Sequence, residues 1–142
     1  HPGVDWGIID YWGGRKKAYT TIRRCFQNLY PFIFINKNNF LKNRGNIITF
    51  YLTNDLSHFL KDVEIIIRIK SGKKVLYLKQ LRINVTQSSA AKRIISVKFD
   101  DFLKINDFLK NKEFRVLLLA ISGSVIYKNS YRIKTGNIHL SR

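Results

Sequence analysis

The sequence predicts a mainly β protein: an antiparallel sandwich of two sheets and about seven short strands, preceded by one α-helix. After Pro31, apolar and polar residues alternate over most of the chain, and turn residues interrupt the alternation at intervals typical of a sandwich. No further segment of helical length alternates with the strands, which argues against a parallel α/β sheet. With 142 residues, 45% of them hydrophobic, the chain is long enough and apolar enough to bury a core.

The helical pattern runs from about residue 15 to residue 28. Apolar residues recur in it at three- and four-residue steps and form one stripe: Ala18, Ile22, Cys25, Phe26 and Leu29. Basic residues in the first turn oppose the helix dipole, so we expect tertiary packing to hold the stripe. Cys25 has no second cysteine to pair with, and its apolar neighbours predict a buried structural thiol.

The clearest strand signal is a hairpin in the middle of the chain. Residues 63–70 and 75–85 alternate between apolar and polar, and Ser-Gly-Lys-Lys at 71–74 provides the turn. The other segments follow from the same rules: strands at 31–35, 48–53 and 94–99, polar connections at 36–46 and 87–91, an ambiguous crossover at 100–112, a second hairpin at 114–121 and 125–133, and a polar tail from 134.

The net charge of +17 raises a polyanion as a partner. The hairpin offers a candidate face with Tyr77 as an aromatic platform among basic residues: Arg68, Lys70, Lys73, Lys74, Lys79 and Arg82. The alternative is a solvated face that keeps strand edges from pairing with other molecules. Because the basic residues are spread along the whole chain, we favour the solvated face and do not expect nucleic acid as a partner. A basic module that binds nucleic acid or acidic glycan remains the alternative function.

The sequence predicts no catalytic residue, metal site or cofactor. Acid–base catalysis needs two carboxylates in one cleft, and nothing brings Glu64 and Glu113 together. No histidine has a partner at ligand spacing, and a single cysteine excludes a cysteine-rich zinc site within the chain. No apolar run approaches the roughly 20 residues that a membrane-spanning helix needs. The chain starts with His1 and contains no methionine, so we expect a fragment or a processed product.

The first residues resemble a known enzyme family. Trp-Gly-Ile-Ile-Asp-Tyr at 6–11, a glycine at 13 or 14, Lys-Ala-Tyr at 17–19 and Arg-Arg at 23–24 resemble the end of the catalytic barrel in glycoside hydrolase family 2, which includes β-mannosidases and β-galactosidases. Residues 49–55 resemble that family's strand ending in Asn-Asp, and residues 62–74 resemble the hairpin that follows it.

The resemblance implies two parts: residues 1–29 would be the last corner and final helix of the barrel, and residues 30–142 an immunoglobulin-like C-terminal sandwich. Such enzymes are retaining glycosidases that use two glutamates at the ends of barrel strands, and those strands would precede His1. The implied partners are the barrel of the same polypeptide and, through it, a carbohydrate substrate. The resemblance favours a periplasmic or secreted location.

Four residues of the opening corner are implied to lie near the sugar pocket, or alternatively to pin the final helix: Trp6, Asp10, Tyr11 and Trp12.

Overall fold

The computed structural model describes residues 14–35, 47–86, 88–102 and 113–134. Within these ranges the predicted fold is confirmed, with one short helix and seven strands in two antiparallel sheets. The elements are α1 (Lys17–Cys25), β1 (Leu29–Ile35), β2 (Ile47–Asn54), β3 (Leu60–Ser71), β4 (Lys74–Val85), β5 (Ser88–Lys98), a short 3-10 helix (Phe99–Asp101), β6 (Glu113–Ser122) and β7 (Val125–Lys134).

The chain crosses repeatedly between the two sheets. The three-stranded sheet has the order β1-β2-β5, and the four-stranded sheet has the order β4-β3-β6-β7. Every paired neighbour is antiparallel. This is an immunoglobulin-like sandwich, in which strands β3 and β6 occupy the centre of the larger sheet and β4 and β7 form its edges.

The core lies between the sheets and follows from a side-chain period of two. Strand β3 directs Val63, Ile65, Ile67 and Ile69 inward, where all four side chains are buried. In the opposite sheet, β2 supplies Ile48, Phe50 and Leu52, all buried. Beside β3 in the same sheet, β6 directs four further buried side chains inward: Phe114, Val116, Leu118 and Ala120. Each large apolar side chain contributes about 1.5–3 kcal/mol when it is fully buried.

Two glycines close the hairpins of the larger sheet. Gly72 has φ 56° and Gly123 has φ 58°, while the residues that follow them have no positive φ. A positive φ at the first central position alone matches a type II′ turn, whose twist suits adjacent antiparallel strands. The two hairpins predicted from the sequence are therefore confirmed.

The amide of Asn54 ends β2 and organises the chain around it. Its Nδ2 donates to the carbonyl oxygen of His58 at 3.1 Å, and its Oδ1 accepts from the backbone N–H of Leu56 at 3.1 Å. The backbone N–H of Asp55 donates to the carbonyl oxygen of Asn28 at 2.7 Å. Asn54 itself is buried, and its amide supplies both a donor and an acceptor to the backbone of the turn that follows.

The polar connection predicted at 87–91 is wrong from residue 88 onward, because β5 begins at Ser88. Small polar residues have low strand propensity, but Ser88 pairs with Asn54 at the end of β2. Pairing with an existing strand overrides the local preference. The predicted loop at 36–46, residues 103–112 of the crossover and the tail from 135 lie outside the described residues.

The predicted packing of the helical stripe is wrong for this chain. Helix α1 ends at Cys25, and Leu29 instead belongs to β1, where it is fully buried in the sandwich core. Cys25 is exposed, which corrects the expectation of a buried thiol. Phe26 is 82% exposed. The helical period stops where the chain enters the sheet, and the sandwich leaves most of the stripe in water.

One buried side-chain amide joins the two sheets. Asn129 of β7 donates through Nδ2 to the carbonyl oxygen of Pro31 in β1 at 3.1 Å and to the Tyr131 hydroxyl at 2.7 Å. Proline has no N–H to donate to a neighbouring strand. It is tolerated in β1 because β1 is an edge strand and pairs on one side only. The amide from the other sheet satisfies its carbonyl.

We expect Asn129→Ala to lower the free energy of unfolding by about 1–3 kcal/mol, because the buried Pro31 carbonyl loses its donor. Urea unfolding followed by far-UV circular dichroism measures the change. The matched control is Ser130→Ala at the adjacent exposed position, which should change stability by less than about 0.5 kcal/mol. Equal losses in the two variants would contradict the role of the amide.

Candidate functional site

The outer face of the four-stranded sheet carries a cluster of positive charge. Lys70 of β3 pairs with Arg115 of β6, which in turn pairs with Arg132 of β7, so three cationic side chains form one row across three strands. Arg68 lies two residues from Lys70 on the same face of β3, and Lys128 lies on the same face of β7. We call these five residues the basic face.

The basic face surrounds a shallow pocket of about 270 Å³, whose lining also includes Leu117, Ser130, Val116 and Tyr131. Tyr131 is only 8% exposed, and its hydroxyl accepts a hydrogen bond from the buried Asn129 amide, so its ring belongs to the core side of the sheet. Strands lie about 4.8 Å apart, so the row from β3 to β7 spans about 10 Å. The row that contains Arg68, Leu117 and Ser130 lies about 7 Å further along the strands. The cations are therefore spread over an area wider than a single carboxylate or phosphate group.

Only part of this charge is neutralised within the described residues. Glu113 Oε1 lies 3.4 Å from Arg115 Nε and 3.8 Å from Arg132 Nε, so one carboxylate serves two guanidinium groups. Exposed pairs of this kind contribute only about 0–1 kcal/mol. Like charges directly opposite each other in a sheet are destabilising, by about 1 kcal/mol or less per pair in water. The face keeps an excess of positive charge at some cost in stability.

The other outward positions of this sheet are mostly aliphatic, and the polar exceptions on β3 and β4 include Glu64, Gln80 and Arg82. Ile66, Leu119 and Ile121 are half-buried, whereas Leu78 and Ile126 are 62% and 63% exposed. The described strand positions facing this side include no aromatic residue. The face therefore offers cations beside a flat aliphatic surface and lacks the aromatic platforms on which nucleic acid bases stack.

The basic face differs from the one predicted from the hairpin. Tyr77 and Lys79 pair with Ile69 and Ile67, whose side chains point into the core, so they lie on the opposite side of the sheet from Arg68. The prediction that all the hairpin cations and Tyr77 line one face is wrong. Basic residues at 115, 128 and 132 were missed because only the strand order β3-β6-β7 brings them beside β3.

Tyr77 instead packs at the margin of the core. Its ring centroid lies 6.1 Å from that of Phe102. Burial raises the pKa of the Tyr77 phenol above its ordinary value of 10.0, and the negative charge of Asp101 raises it further. The folded state therefore favours the neutral phenol.

Neither glutamate discussed above forms a catalytic pair. Gln80 Nε2 donates to Glu64 Oε1, and Glu64 pairs with Ile121 of β6. Glu113 lies at the other end of β6, eight residues away, which corresponds to about 27 Å along a strand. Carboxylates of glycosidases lie about 5–10 Å apart. Within the described ranges there is also no group of three possible metal ligands, and none of the helices has the length and apolarity to span a membrane.

The residues implied to lie near a sugar pocket, Trp6, Asp10, Tyr11 and Trp12, lie outside the described residues. Their proximity to substrate stays a prediction, as does the boundary between residues 1–29 and 30–142.

The described fold places the chain in the class of immunoglobulin-like β-sandwich domains. No protein-family model matches it, and no curated protein matches it. Among solved structures it is similar to a β-glucuronidase of Parabacteroides merdae with glycerol in its active site, at 10% identity and a TM-score of 0.50 over 75% of this chain and 14% of that chain. A β-glucuronidase from glycoside hydrolase family 2 matches at 6% identity and a TM-score of 0.45, over 72% of this chain and 11% of that chain.

At this level of identity the likeness to the Parabacteroides merdae enzyme is one of fold. The chain spans only 14% and 11% of the lengths of the two enzymes. The similarity in fold to the Parabacteroides merdae enzyme thus concerns a small part of that enzyme.

We expect Tyr77→Phe to lose less stability than the parent chain as the pH rises above about 10. The raised pKa contributes stability that is complete below the unfolded-state pKa and is lost as the pH rises through the folded-state pKa. Urea unfolding at about pH 9 and about pH 11 measures the difference. Asp101→Asn should act in the same direction by a smaller amount. An alkaline loss identical in the parent chain and Tyr77→Phe would contradict this account.

We expect Lys70→Gln to stabilise the chain by about 0.5 kcal/mol at low salt, because it removes one of two like charges that pair across β3 and β6. The gain should vanish at high salt, where the repulsion is screened. Lys98→Gln, at an exposed position on β5 of the opposite sheet, controls for the overall charge. A loss of stability in Lys70→Gln that is independent of salt would argue against repulsion in the row.

Proposed function

We propose that this chain is the C-terminal, non-catalytic part of a retaining glycoside hydrolase of family 2. Residues 1–29 complete the catalytic barrel, and residues 30–142 form the accessory sandwich that braces it. Three lines of support converge: the barrel-like motif at residues 6–11, the immunoglobulin-like fold, and the similarity in fold to a domain of the Parabacteroides merdae β-glucuronidase.

The observation that carries the proposal is the uncovered apolar stripe of α1. Phe26 is 82% exposed, and Ala18 and Cys25 are exposed with it. Burial of a phenylalanine side chain contributes about 1.5–3 kcal/mol, which this chain does not obtain by packing the stripe on its own sandwich. A barrel surface preceding the helix would cover the stripe. The sandwich and the helix then meet the barrel as one unit.

In this proposal the barrel carries the chemistry. Its two glutamates hydrolyse an O-glycosidic bond with retention of configuration, in the manner of a β-mannosidase or a β-galactosidase. The sandwich contributes no catalytic carboxylate, which agrees with the separation of Glu64 and Glu113. A periplasmic or secreted location belongs to the same proposal.

The test is to express the polypeptide together with the coding region upstream of His1 and to assay aryl β-mannosides, β-galactosides and β-glucuronides. We expect the extended polypeptide to hydrolyse one of them with retention, and this chain alone to hydrolyse none. An upstream region without a barrel, or an extended polypeptide inactive on every glycoside, would overturn the proposal. Activity on the β-glucuronide alone would replace the proposed β-mannoside or β-galactoside substrate and would leave the proposed membership of family 2 unchanged.

A substitution at Phe26 tests whether the apolar stripe of α1 packs on a barrel. Phe26→Ser should leave the melting temperature of this chain nearly unchanged and should destabilise the extended polypeptide by about 2–4 kcal/mol. Phe34→Ser, at a β1 side chain that is 58% exposed, is the matched control and should affect both forms little. Destabilisation of the isolated chain by Phe26→Ser would show that the stripe already has a partner within it.

A further inference from the structure

We propose that the basic face binds an anionic polysaccharide, a polymer of sugar units that carry carboxylate groups. This site is separate from the catalytic centre assigned above to the barrel. The assignment of a sugar polymer as the ligand rests on the proposed function, whereas the anion site rests only on the geometry of β3, β6 and β7.

The spread of the cations favours a ligand with several negative groups. Lys70, Arg115 and Arg132 form a row about 10 Å wide, and Arg68 lies about 7 Å from that row along the strand direction. A single carboxylate binds a guanidinium fork to fork and covers one arginine, or two at most. A ligand that engages the whole face therefore carries anionic groups at intervals along a chain.

The chemistry of the side chains favours carboxylates. Three of the five cations are arginines, whose planar guanidinium groups match a carboxylate bidentately. Glu113 already places a carboxylate beside two of these arginines: its Oε1 lies 3.4 Å from Arg115 Nε and 3.8 Å from Arg132 Nε. Uronate carboxylates of a polysaccharide would take the same positions on the outer side of the guanidinium groups, where Arg115 and Arg132 are exposed.

The floor of the face favours a polysaccharide over nucleic acid. Leu117 lies between the cations, with Ile66 and Leu119 one step further along the strands. This flat aliphatic surface accommodates a polymer lying across the sheet. None of the described outward-facing positions is aromatic, and Tyr131, which lines the pocket, is buried, so single-stranded nucleic acid would be held only through its phosphates, without stacking of its bases.

The cost of the cluster also indicates a function. Cross-strand repulsion between Lys70, Arg115 and Arg132 opposes folding, and one carboxylate offsets it only in part. Sites that bind ligands commonly retain such locally unfavourable arrangements. The alternative is that the cluster has no ligand and only reflects the overall charge of +17. A variant that removes the same charge elsewhere distinguishes a specific site from an effect of overall charge.

The test measures binding of this chain to polygalacturonate by isothermal titration calorimetry at low salt and at about 0.5 M salt, where charges are screened. Methyl-esterified polygalacturonate has the same backbone without the charge and is the control ligand. We expect polygalacturonate to bind at least 10-fold more tightly than the ester and to lose affinity at high salt. Equal binding of the two polymers would overturn the proposal, and so would single-stranded DNA binding as tightly as polygalacturonate.

Two double variants locate the site. Arg115→Gln with Arg132→Gln should weaken binding at least 10-fold, whereas Arg93→Gln with Lys98→Gln removes the same charge from the opposite sheet and should change it less than 2-fold. Equal weakening by the two would show that binding follows overall charge and would overturn the site. Lys128→Gln, at an exposed position on an edge strand, is a milder variant expected to weaken binding several-fold. Unchanged affinity in this variant and in the Arg115/Arg132 double variant would equally overturn it.

The outcome is distinguishable from that of the proposed function. Binding is measured on this chain, and hydrolysis is measured on the polypeptide extended upstream of His1. If the extended polypeptide hydrolyses a glycoside but this chain does not bind polygalacturonate, only the proposed anion site is disproved. If this chain binds polygalacturonate but the extended polypeptide hydrolyses no glycoside, only the glycosidase assignment is disproved.

Discussion

The alternation of side chains along β3 is the constraint on which the rest of the sandwich depends. This strand pairs on one side with β4 and on the other with β6, and its buried isoleucines face the second sheet. A shift of one residue would move Arg68 and Lys70 into the core and the isoleucines into water. Desolvation of a charge costs several kcal/mol, so the register of β3 is strongly specified. The same register aligns Lys70 with Arg115 and forms the basic face.

Two buried amides hold the parts of the chain that the apolar core does not specify. Asn129 connects β7 to the carbonyl of Pro31 in the other sheet, and Asn54 closes the turn after β2. The Asn-Asp pair at the end of β2 thus has a local physical reason. Asn54 satisfies the turn, and the Asp55 backbone N–H is bonded to the segment between α1 and β1.

Much of the fold was predictable from local patterns. The strand patterns on either side of Gly72 predict the β3–β4 hairpin, and those on either side of Gly123 predict the β6–β7 hairpin. Each turn spans only four consecutive residues with a glycine at positive φ, so local sequence is enough to predict it. The incorrect predictions concern positions whose structure depends on segments that are distant in the sequence. The first residues of β5 are strand because of their pairing with β2, Leu29 left the helical stripe because β1 pairs with β2, and Cys25 is exposed because the sandwich does not cover α1.

The candidate site shows the same division. The sequence by itself determined the fold class, the two hairpins, the inward face of each central strand and the excess of positive charge, because each depends on neighbours within a few residues. Only the tertiary structure decided which cations lie together. Lys70, Arg115 and Arg132 are distant in sequence and meet because β6 inserts between β3 and β7, while Tyr77 turns to the core side. Strand order is set by the burial of the whole apolar face, and no local pattern encodes it.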